Sequence, residues 1–294
     1  MTHLGGIELG GTKTICAIGD DGEILERERF PTTTPDETLG RAADFFQRRR
    51  DRWPVEAVGI AAFGPLDLDP ESPTYGSVVT TPKTGWSGAA VSSVLGRELD
   101  VPVAIHTDVV GAAIGEWRWG AARDVETVLY VTVGTGIGGG LIVRGQPILP
   151  AAHAEMGHLP IPREAADRFA GHCPFHGDCL EGLASGPAME ARWGRPPTDL
   201  PPDHEGWSLE ALYLARAVVA WIYTVAPDRI VLGGGVGGQL ALVDRLRDLV
   251  PGLLAGYADL PARLAGVDRY LVPPGLGADS GVLGALALAE RATR

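Results

Sequence analysis

Two segments of the chain share one pattern, in which a glycine-rich turn separates two apolar runs of strand length. The first covers residues 6–19, with Gly10 and Gly11 at its turn, and the second covers 127–143, with its turn at 134–140. Apolar runs on both sides of a Gly/Thr turn are typical of β-hairpins, so both segments predict a strand–turn–strand unit. Their similarity indicates an internal duplication of a βββαβ unit, which restricts the fold to one built from two related halves.

The remaining apolar segments alternate between strand-like and helix-like patterns. We predict strands at 23–30, 55–63, 101–106 and 228–232, and helices at 38–52, 108–118, 208–224 and 281–294. Strands that alternate with helices favour an α/β protein. A chain of 294 residues is also long enough for two domains. The sequence therefore predicts a two-domain α/β fold.

Glycine turns of this kind either reverse the chain and do nothing more, or hold an anion. The second turn contains the spacing G-x-G-x-x-G, but a strand-like run follows it, whereas a dinucleotide-binding fingerprint needs a helix there. The first turn lacks the spacing of a P-loop. Successive backbone N–H groups in a tight turn can still bind phosphate, and threonine hydroxyls add donors. A third glycine cluster at 233–235 favours this interpretation. The candidate phosphate-binding residues are Gly10, Gly11, Thr12, Lys13, Gly134, Thr135, Gly136, Gly234 and Gly235.

Charge and cysteine content argue against several classes of protein. The net charge of −12 argues against binding to nucleic acid or to an anionic membrane. Three cysteines imply no disulfide framework, so we expect a reducing compartment. The first residues have no basic segment ahead of an apolar run, and we see no run of about 18 apolar residues, so neither a signal peptide nor a transmembrane helix is expected. These features predict a cytoplasmic protein.

A cluster of cysteines and histidines follows the second hairpin. Cys173, His176 and Cys179 follow one another at intervals of three, and His158 lies upstream. Two thiolates and two imidazoles form a tetrahedral zinc site of the Cys₂His₂ type; the alternative is a pair of buried cysteines near surface histidines. Two further histidines could replace His158 as a ligand: His172 and His153. Four protein ligands would make the zinc structural, because no position is left for a reactive water.

Six motifs follow one another along the chain. They are Glu8-Leu-Gly-Gly-Thr-Lys13, Gly59-Ile-Ala-Ala-Phe-Gly-Pro65, Thr107-Asp108, Val133-Gly-Thr-Gly-Ile-Gly-Gly139, Glu155-x-Gly-His158 and the Cys/His/Cys cluster. Together, and over essentially the whole chain, they resemble the ROK family of sugar kinases. The cysteine loop Cys-Pro-Phe-His-Gly-Asp-Cys-Leu-Glu-Gly and the segment Thr80-Thr-Pro-Lys-Thr-Gly-Trp86 are most similar to the zinc-containing ROK fructokinases.

This resemblance implies an actin-like ATPase fold, a duplicated RNase H-like α/β architecture with two domains and an interdomain cleft. The implied domains are 1–108 together with about 280–294, and 109–279 with the zinc-binding loop. The resemblance implies that Asp108 is the catalytic base and that the glycine turns bind ATP with Mg²⁺. It assigns the sugar contacts to Gly64, Thr107, Glu155, His158 and Glu181. His158 would serve the zinc through one ring nitrogen and the sugar through the other.

The activity implied by the resemblance is transfer of the γ-phosphate of ATP to a hexose hydroxyl, with D-fructose yielding fructose 6-phosphate. Another hexose (glucose, mannose or an amino sugar) and a non-catalytic sugar sensor are the alternatives. Family members that regulate transcription usually carry an N-terminal helix-turn-helix, for which the residues before Gly10 leave no room. Val110 departs from the family, which usually has Asn there, and valine cannot hydrogen-bond a hydroxyl. The resemblance also implies a homodimer.

Overall fold

The computed structural model describes residues 3–148, 154–257 and 266–293. The described strands are β1 (His3–Leu9), β2 (Lys13–Asp20), β3 (Glu23–Pro31), β4 (Val55–Ala62), β5 (Val103–Thr107), β6 (Thr127–Val133), β7 (Ile137–Val143), β8 (Gln146–Pro147), β9 (Arg229–Gly233) and β10 (Leu271–Val272). The described α-helices are Pro35–Gln47, Val91–Leu99, Asp108–Arg118, Leu180–Ala184, Gly186–Trp193, Glu205–Val225, Gly234–Gly237, Leu240–Leu254, Val267–Tyr270 and Ser280–Ala292. The predicted α/β class is confirmed.

The chain divides into two compact units, each with its own sheet and hydrophobic core. The first unit consists of Met1–Arg123, Gly145–His153 and Ala278–Arg294, and the second of Asp124–Arg144 and Ala154–Gly277. This division differs from the predicted boundary between residues 108 and 109, because it keeps the helix Asp108–Arg118 in the first unit.

The packing of that helix explains the difference. The helix Asp108–Arg118 lies against the helix Ser280–Ala292, and the two backbones approach so closely that a Cβ on Gly284 would lie 1.7 Å from the carbonyl oxygen of Gly111. The hydroxyl of Ser280 also donates to the buried carboxylate of Glu116 at 2.6 Å. Contacts this close tie the two helices into one unit.

In the first unit the strand order is β3-β2-β1-β4-β5, with β1, β4 and β5 parallel. The register pairs Leu9 with Ala62, and Ala62 with Thr107, so these three strands end side by side. The segments that follow β1, β4 and β5 therefore leave the sheet at one edge. Loops at the carboxyl ends of parallel strands are where α/β folds place their ligands.

The second unit repeats this plan with the order β10-β9-β6-β7. Strands β6 and β7 form the predicted hairpin, and β6 runs parallel to β9 with Thr132 opposite Gly233. The turn between β6 and β7 is shorter than predicted, because β7 already begins at Ile137. Backbone hydrogen bonds need no side chain, so residues 138–140 join the ladder opposite residues 130–132 although all three are glycine.

One described helix, Glu205–Val225, is long and apolar enough to cross a membrane by length and composition, whereas the sequence analysis predicted no transmembrane helix. It packs in the core of the second unit, where Tyr213, Trp221 and Val218 are almost fully buried. The helix also contains Glu210 and Arg216.

Candidate active site and metal centre

Three predicted site segments of the first unit meet at the carboxyl edge of its sheet. The turn that begins at Gly10 follows β1, Gly64 comes two residues after β4, and Asp108 follows β5 directly. Strands β1, β4 and β5 are neighbours, so the topology gathers segments that are about 50 residues apart along the chain. Thr107, the last residue of β5, is fully buried, and its N–H donates to Nδ1 of His106 at 2.8 Å.

Asp108 is half-buried at the start of its helix. Its Oδ1 accepts a hydrogen bond from the N–H of Val109 at 2.9 Å. Burial raises the pKa of the Asp108 carboxyl to about 7, and the negative charge of Glu8 adds to the rise. A carboxyl with a pKa near neutrality is well suited to accept a proton from a substrate and release it again.

The first glycine turn is closed by backbone and side-chain hydrogen bonds. The N–H of Gly10 donates to the carbonyl of Lys13 at 2.9 Å, and the hydroxyl of Thr32 donates to the carbonyl of Gly10 at 2.8 Å. Gly11 and Thr12 are exposed at its tip, where their backbone groups are open to a ligand. The turn is therefore well defined at its base and accessible at its tip.

Lys13 lies beside a carboxylate at this turn. Its Nζ lies 3.7 Å from Oε1 of Glu8, a carboxyl whose pKa is raised by burial even though Lys13 acts to lower it. Oε2 of Glu8 is buried and has no hydrogen-bond partner among the described residues. The lysine charge predicted for phosphate binding is thus partly offset by this carboxylate.

In the second unit two predicted glycine segments come together. The turn after β6 and the segment after β9 leave the sheet at the same edge, since these strands are parallel neighbours. A Cβ on Gly134 would lie 3.7 Å from the backbone nitrogen of Gly235. Gly234 has a φ of +84°, which L side chains rarely adopt. Thr135, Gly234 and Gly235 are exposed, so both segments are open to a ligand.

The predicted metal cluster also forms within the second unit. One ligand atom from each of His158, Cys173, His176 and Cys179 lies within 4.8 Å of the other three. Nδ1 of His158 is 3.5 Å from Sγ of Cys179 and 3.7 Å from Sγ of Cys173, and Nδ1 of His176 is 3.8 Å from Sγ of Cys173. Zinc bonds of about 2.0–2.3 Å in a tetrahedron place neighbouring ligand atoms about 3.3–3.8 Å apart, so this donor set fits a bound metal ion.

The thiols support this interpretation. Cys173 and Cys179 are buried, and burial raises the pKa of the Cys179 thiol to about 11. A thiolate at neutral pH in such a place requires a cation beside it. His172 is exposed and is not part of the metal-binding group among the described residues, while His153 lies outside them.

The predicted sugar contacts in the second unit lie close to the metal cluster along the chain. Glu155 is exposed, and its carbonyl accepts from the N–H of His158 at 3.0 Å, which forms the short 3₁₀ helix Met156–His158. Nδ1 of His158 faces the thiols, which leaves Nε2 as its outward nitrogen. Glu181 lies in the first turn of the helix Leu180–Ala184, directly after Cys179.

Comparison with known proteins accounts for these features. The ROK family model matches residues 4–292. The chain belongs to the ROK family. It is 41% identical to a fructokinase of Pediococcus pentosaceus over 99% of each chain, and 43% identical to a fructokinase of Zymomonas mobilis over 97% of this chain and 95% of that protein. A crystal structure of a ROK hexokinase from Thermus thermophilus superposes with a TM-score of 0.79 and 25% identity over 99% of each chain. The expected family and actin-like fold are confirmed.

The structure adds residues that the ROK resemblance did not indicate. Asp167 and Arg192 form an almost fully buried ion pair at 3.1 Å, and the hydroxyl of Tyr213 donates to the same carboxylate at 2.6 Å. Arg163 donates to the carboxylate of Asp178, inside the metal-binding loop, at 3.1 Å. These partners are far apart in the chain and share no motif, so the sequence contains no signal that joins them.

Val110, the position at which the resemblance predicts Asn, is 5% exposed on the helix Asp108–Arg118. Its side chain is packed inside the first unit, and it offers no polar atom to a ligand.

Proposed function

We propose that this chain transfers the γ-phosphate of ATP to the 6-hydroxyl of D-fructose and so forms fructose 6-phosphate. The observation that carries the proposal is Asp108, a half-buried carboxyl with a pKa of about 7 at the ligand-binding edge of its sheet. Its position and proton affinity suit a general base. The identity to ROK fructokinases over nearly the full chain supports fructose as the acceptor.

In the proposed reaction the ionised carboxylate of Asp108 takes the proton of the attacking sugar hydroxyl. The sugar oxygen forms a bond to the γ-phosphorus while the bond between that phosphorus and the β–γ bridging oxygen breaks. ADP leaves with the bridging oxygen, and the proton on Asp108 passes to solvent. The N–H of Val109 keeps one carboxylate oxygen oriented, so the other is available for the proton.

The proposed phosphate donors are backbone N–H groups of the glycine turns. In the first unit they belong to Gly10, Gly11 and Thr12, and in the second to Gly134, Thr135, Gly136, Gly234 and Gly235. The positive charge of Lys13 is partly offset by the carboxylate of Glu8, which lies beside it. Mg²⁺, when bound with ATP, would neutralise phosphate charge, and Oε2 of Glu8, which is buried without a hydrogen-bond partner among the described residues, would be a suitable acceptor for one of its water ligands.

We propose zinc for the metal cluster, with His158, Cys173, His176 and Cys179 as its ligands. Zinc at four protein ligands is structural, and would fix the loop that carries Glu155 and Glu181.

The sugar contacts remain those implied by the family: Gly64, Thr107, Glu155, His158 and Glu181. Val110 cannot form the hydrogen bond that the family's usual Asn could make. The choice of sugar therefore depends on the five sugar contacts alone. A homodimer and a cytoplasmic location complete the proposal.

The test is phosphorylation of a panel of hexoses by ATP, with and without Mg²⁺, followed by ³¹P NMR of the product. The expected result is fructose 6-phosphate as the best product, formed only with Mg²⁺, and almost none from D108N. Faster turnover of glucose, mannose or an amino sugar would reassign the acceptor. A lack of turnover on every hexose, with sugar binding intact, would favour a sensor.

A further inference from the structure

The backbone of Ile137, at the end of the second glycine turn, is contacted through both its N–H and its carbonyl oxygen by the metal-binding region of the second unit. Its N–H donates to Oε2 of Glu181 at 2.9 Å. Its carbonyl oxygen lies against Gly157, where a Cβ would come within 2.0 Å. A side chain at residue 157 would therefore push the strand away. Both contacts come from segments directly beside metal ligands, since Gly157 precedes His158 and Glu181 is two residues after Cys179.

The rest of the turn is held from the same side. The N–H of Gly186, at the start of the next helix, donates to the carbonyl of Gly134 at 2.7 Å. Gly136 lies so close to Glu181 that an added Cβ would be 2.7 Å from Oε2. Within the turn, the N–H of Gly134 donates to the carbonyl of Gly136 at 2.9 Å. The orientation of the turn's backbone thus depends on where Glu181 and Gly186 are placed.

We propose that Glu181 is a positioning residue for the nucleotide, because its hydrogen bond to Ile137 holds the turn 134–136 in the conformation that receives phosphate. The inference rests on the proposed function, in which this turn binds ATP. A hydrogen bond to a charged acceptor is stronger than one between neutral groups, and Ile137 is buried, so Glu181 is well placed to fix the turn. Oε1 of the same carboxylate is left for the sugar, which gives one side chain two separate tasks.

The experiment measures binding of Mg·ADP without sugar by isothermal titration calorimetry. It compares the unmodified protein with E181A, E181Q and the control E190A, which removes an exposed carboxylate from the neighbouring helix. We expect E181A to weaken the binding of Mg·ADP about tenfold, E181Q to weaken it less because its amide oxygen can still accept, and E190A to leave it unchanged. If Glu181 serves only the sugar, its substitution should raise the KM for sugar and leave the Kd of Mg·ADP unchanged. That result would overturn the inference.

Hydrogen exchange at the Ile137 amide provides a second measurement that needs no ligand. The Ile137 amide should exchange faster in E181A than in the unmodified protein or in E190A. Equal rates in all three would count against a role of Glu181 in holding the turn. If the unmodified protein binds no Mg·ADP, the proposed function fails. If it binds Mg·ADP and both E181A and E181Q bind equally well, only the positioning role fails.

Discussion

Replacing Asp108 with Asn should remove activity and, at the same time, stabilise the protein. Asn has the same shape and keeps an oxygen that can accept from the N–H of Val109, but it has no charge. Folding raises the pKa of the carboxyl from 3.8 to about 7 through burial and the nearby charge of Glu8. Above pH 7 the folded protein must therefore hold a carboxylate in a place that disfavours it, and D108N removes that cost.

The size of the gain follows from the two pKa values. At about 1.4 kcal/mol per pKa unit, the rise from 3.8 to about 7 corresponds to at most about 4 kcal/mol above pH 7. Since the side chain is only half-buried, screening by solvent reduces the expected gain to about 1–2 kcal/mol. The gain should shrink as pH falls below 7, because the folded carboxyl then becomes protonated, and should vanish below about pH 4, where the unfolded carboxyl is protonated as well.

Urea unfolding at pH 8, 6 and 4, without sugar or nucleotide, measures this effect. D108N should unfold at a higher urea concentration at pH 8 and at the same concentration as the unmodified protein at pH 4. D51N, which removes an exposed carboxylate of the same unit, should show no such trend. A D108N variant that is no more stable at pH 8, or one that retains turnover within about tenfold, would refute the reasoning about this carboxyl.

Three other outcomes are expected. The kcat/KM of the unmodified protein should fall about tenfold per pH unit below pH 7 and level off above it, because only the ionised Asp108 accepts a proton; a flat profile between pH 5 and 8 would contradict this. C179S should lose bound zinc in elemental analysis and melt at a lower temperature, whereas H172A should retain one zinc per chain. R192A should lower the free energy of unfolding by about 3–5 kcal/mol, since it leaves Asp167 buried without its partner; a loss below about 1 kcal/mol in urea titrations would show that the pair contributes little.

Local patterns in the sequence were sufficient for the hairpins, the alternation of strands and helices, and the metal-binding group. Each of these depends on residue spacing within a short segment, and that spacing is kept when the chain folds. The spacing of Cys173, His176 and Cys179 is one example, because a tight loop places such neighbours on one centre. The predicted length of the second turn was wrong because strand pairing, which is not a local pattern, sets where the turn ends. Glycine content indicated a turn as far as residue 140, whereas pairing with β6 decides where the strand begins.

The ion pairs of the structure could not be predicted from the sequence. Lys13 was expected near phosphate, yet its Nζ lies 3.7 Å from the carboxylate of Glu8, which partly offsets its charge. The ion pair of Asp167 with Arg192 joins residues from different segments, and only the packed core of the second unit brings them together. Such pairs arise from three-dimensional packing, for which a single sequence holds no pattern.

The discontinuous composition of the first unit has a consequence for biosynthesis. A ribosome that makes this chain completes Asp124–Arg144 and Ala154–Gly277 before it reaches the helix Ser280–Ala292. The second unit can therefore fold while translation continues, but the helix Asp108–Arg118 lacks its partner until residues 280–292 have been made. Until then the side of this helix that packs against Ser280–Ala292, which includes Gly115, is uncovered and open to chaperones and proteases. During this interval the first unit is incomplete, and its uncovered apolar surface is more accessible to proteases than in the finished protein.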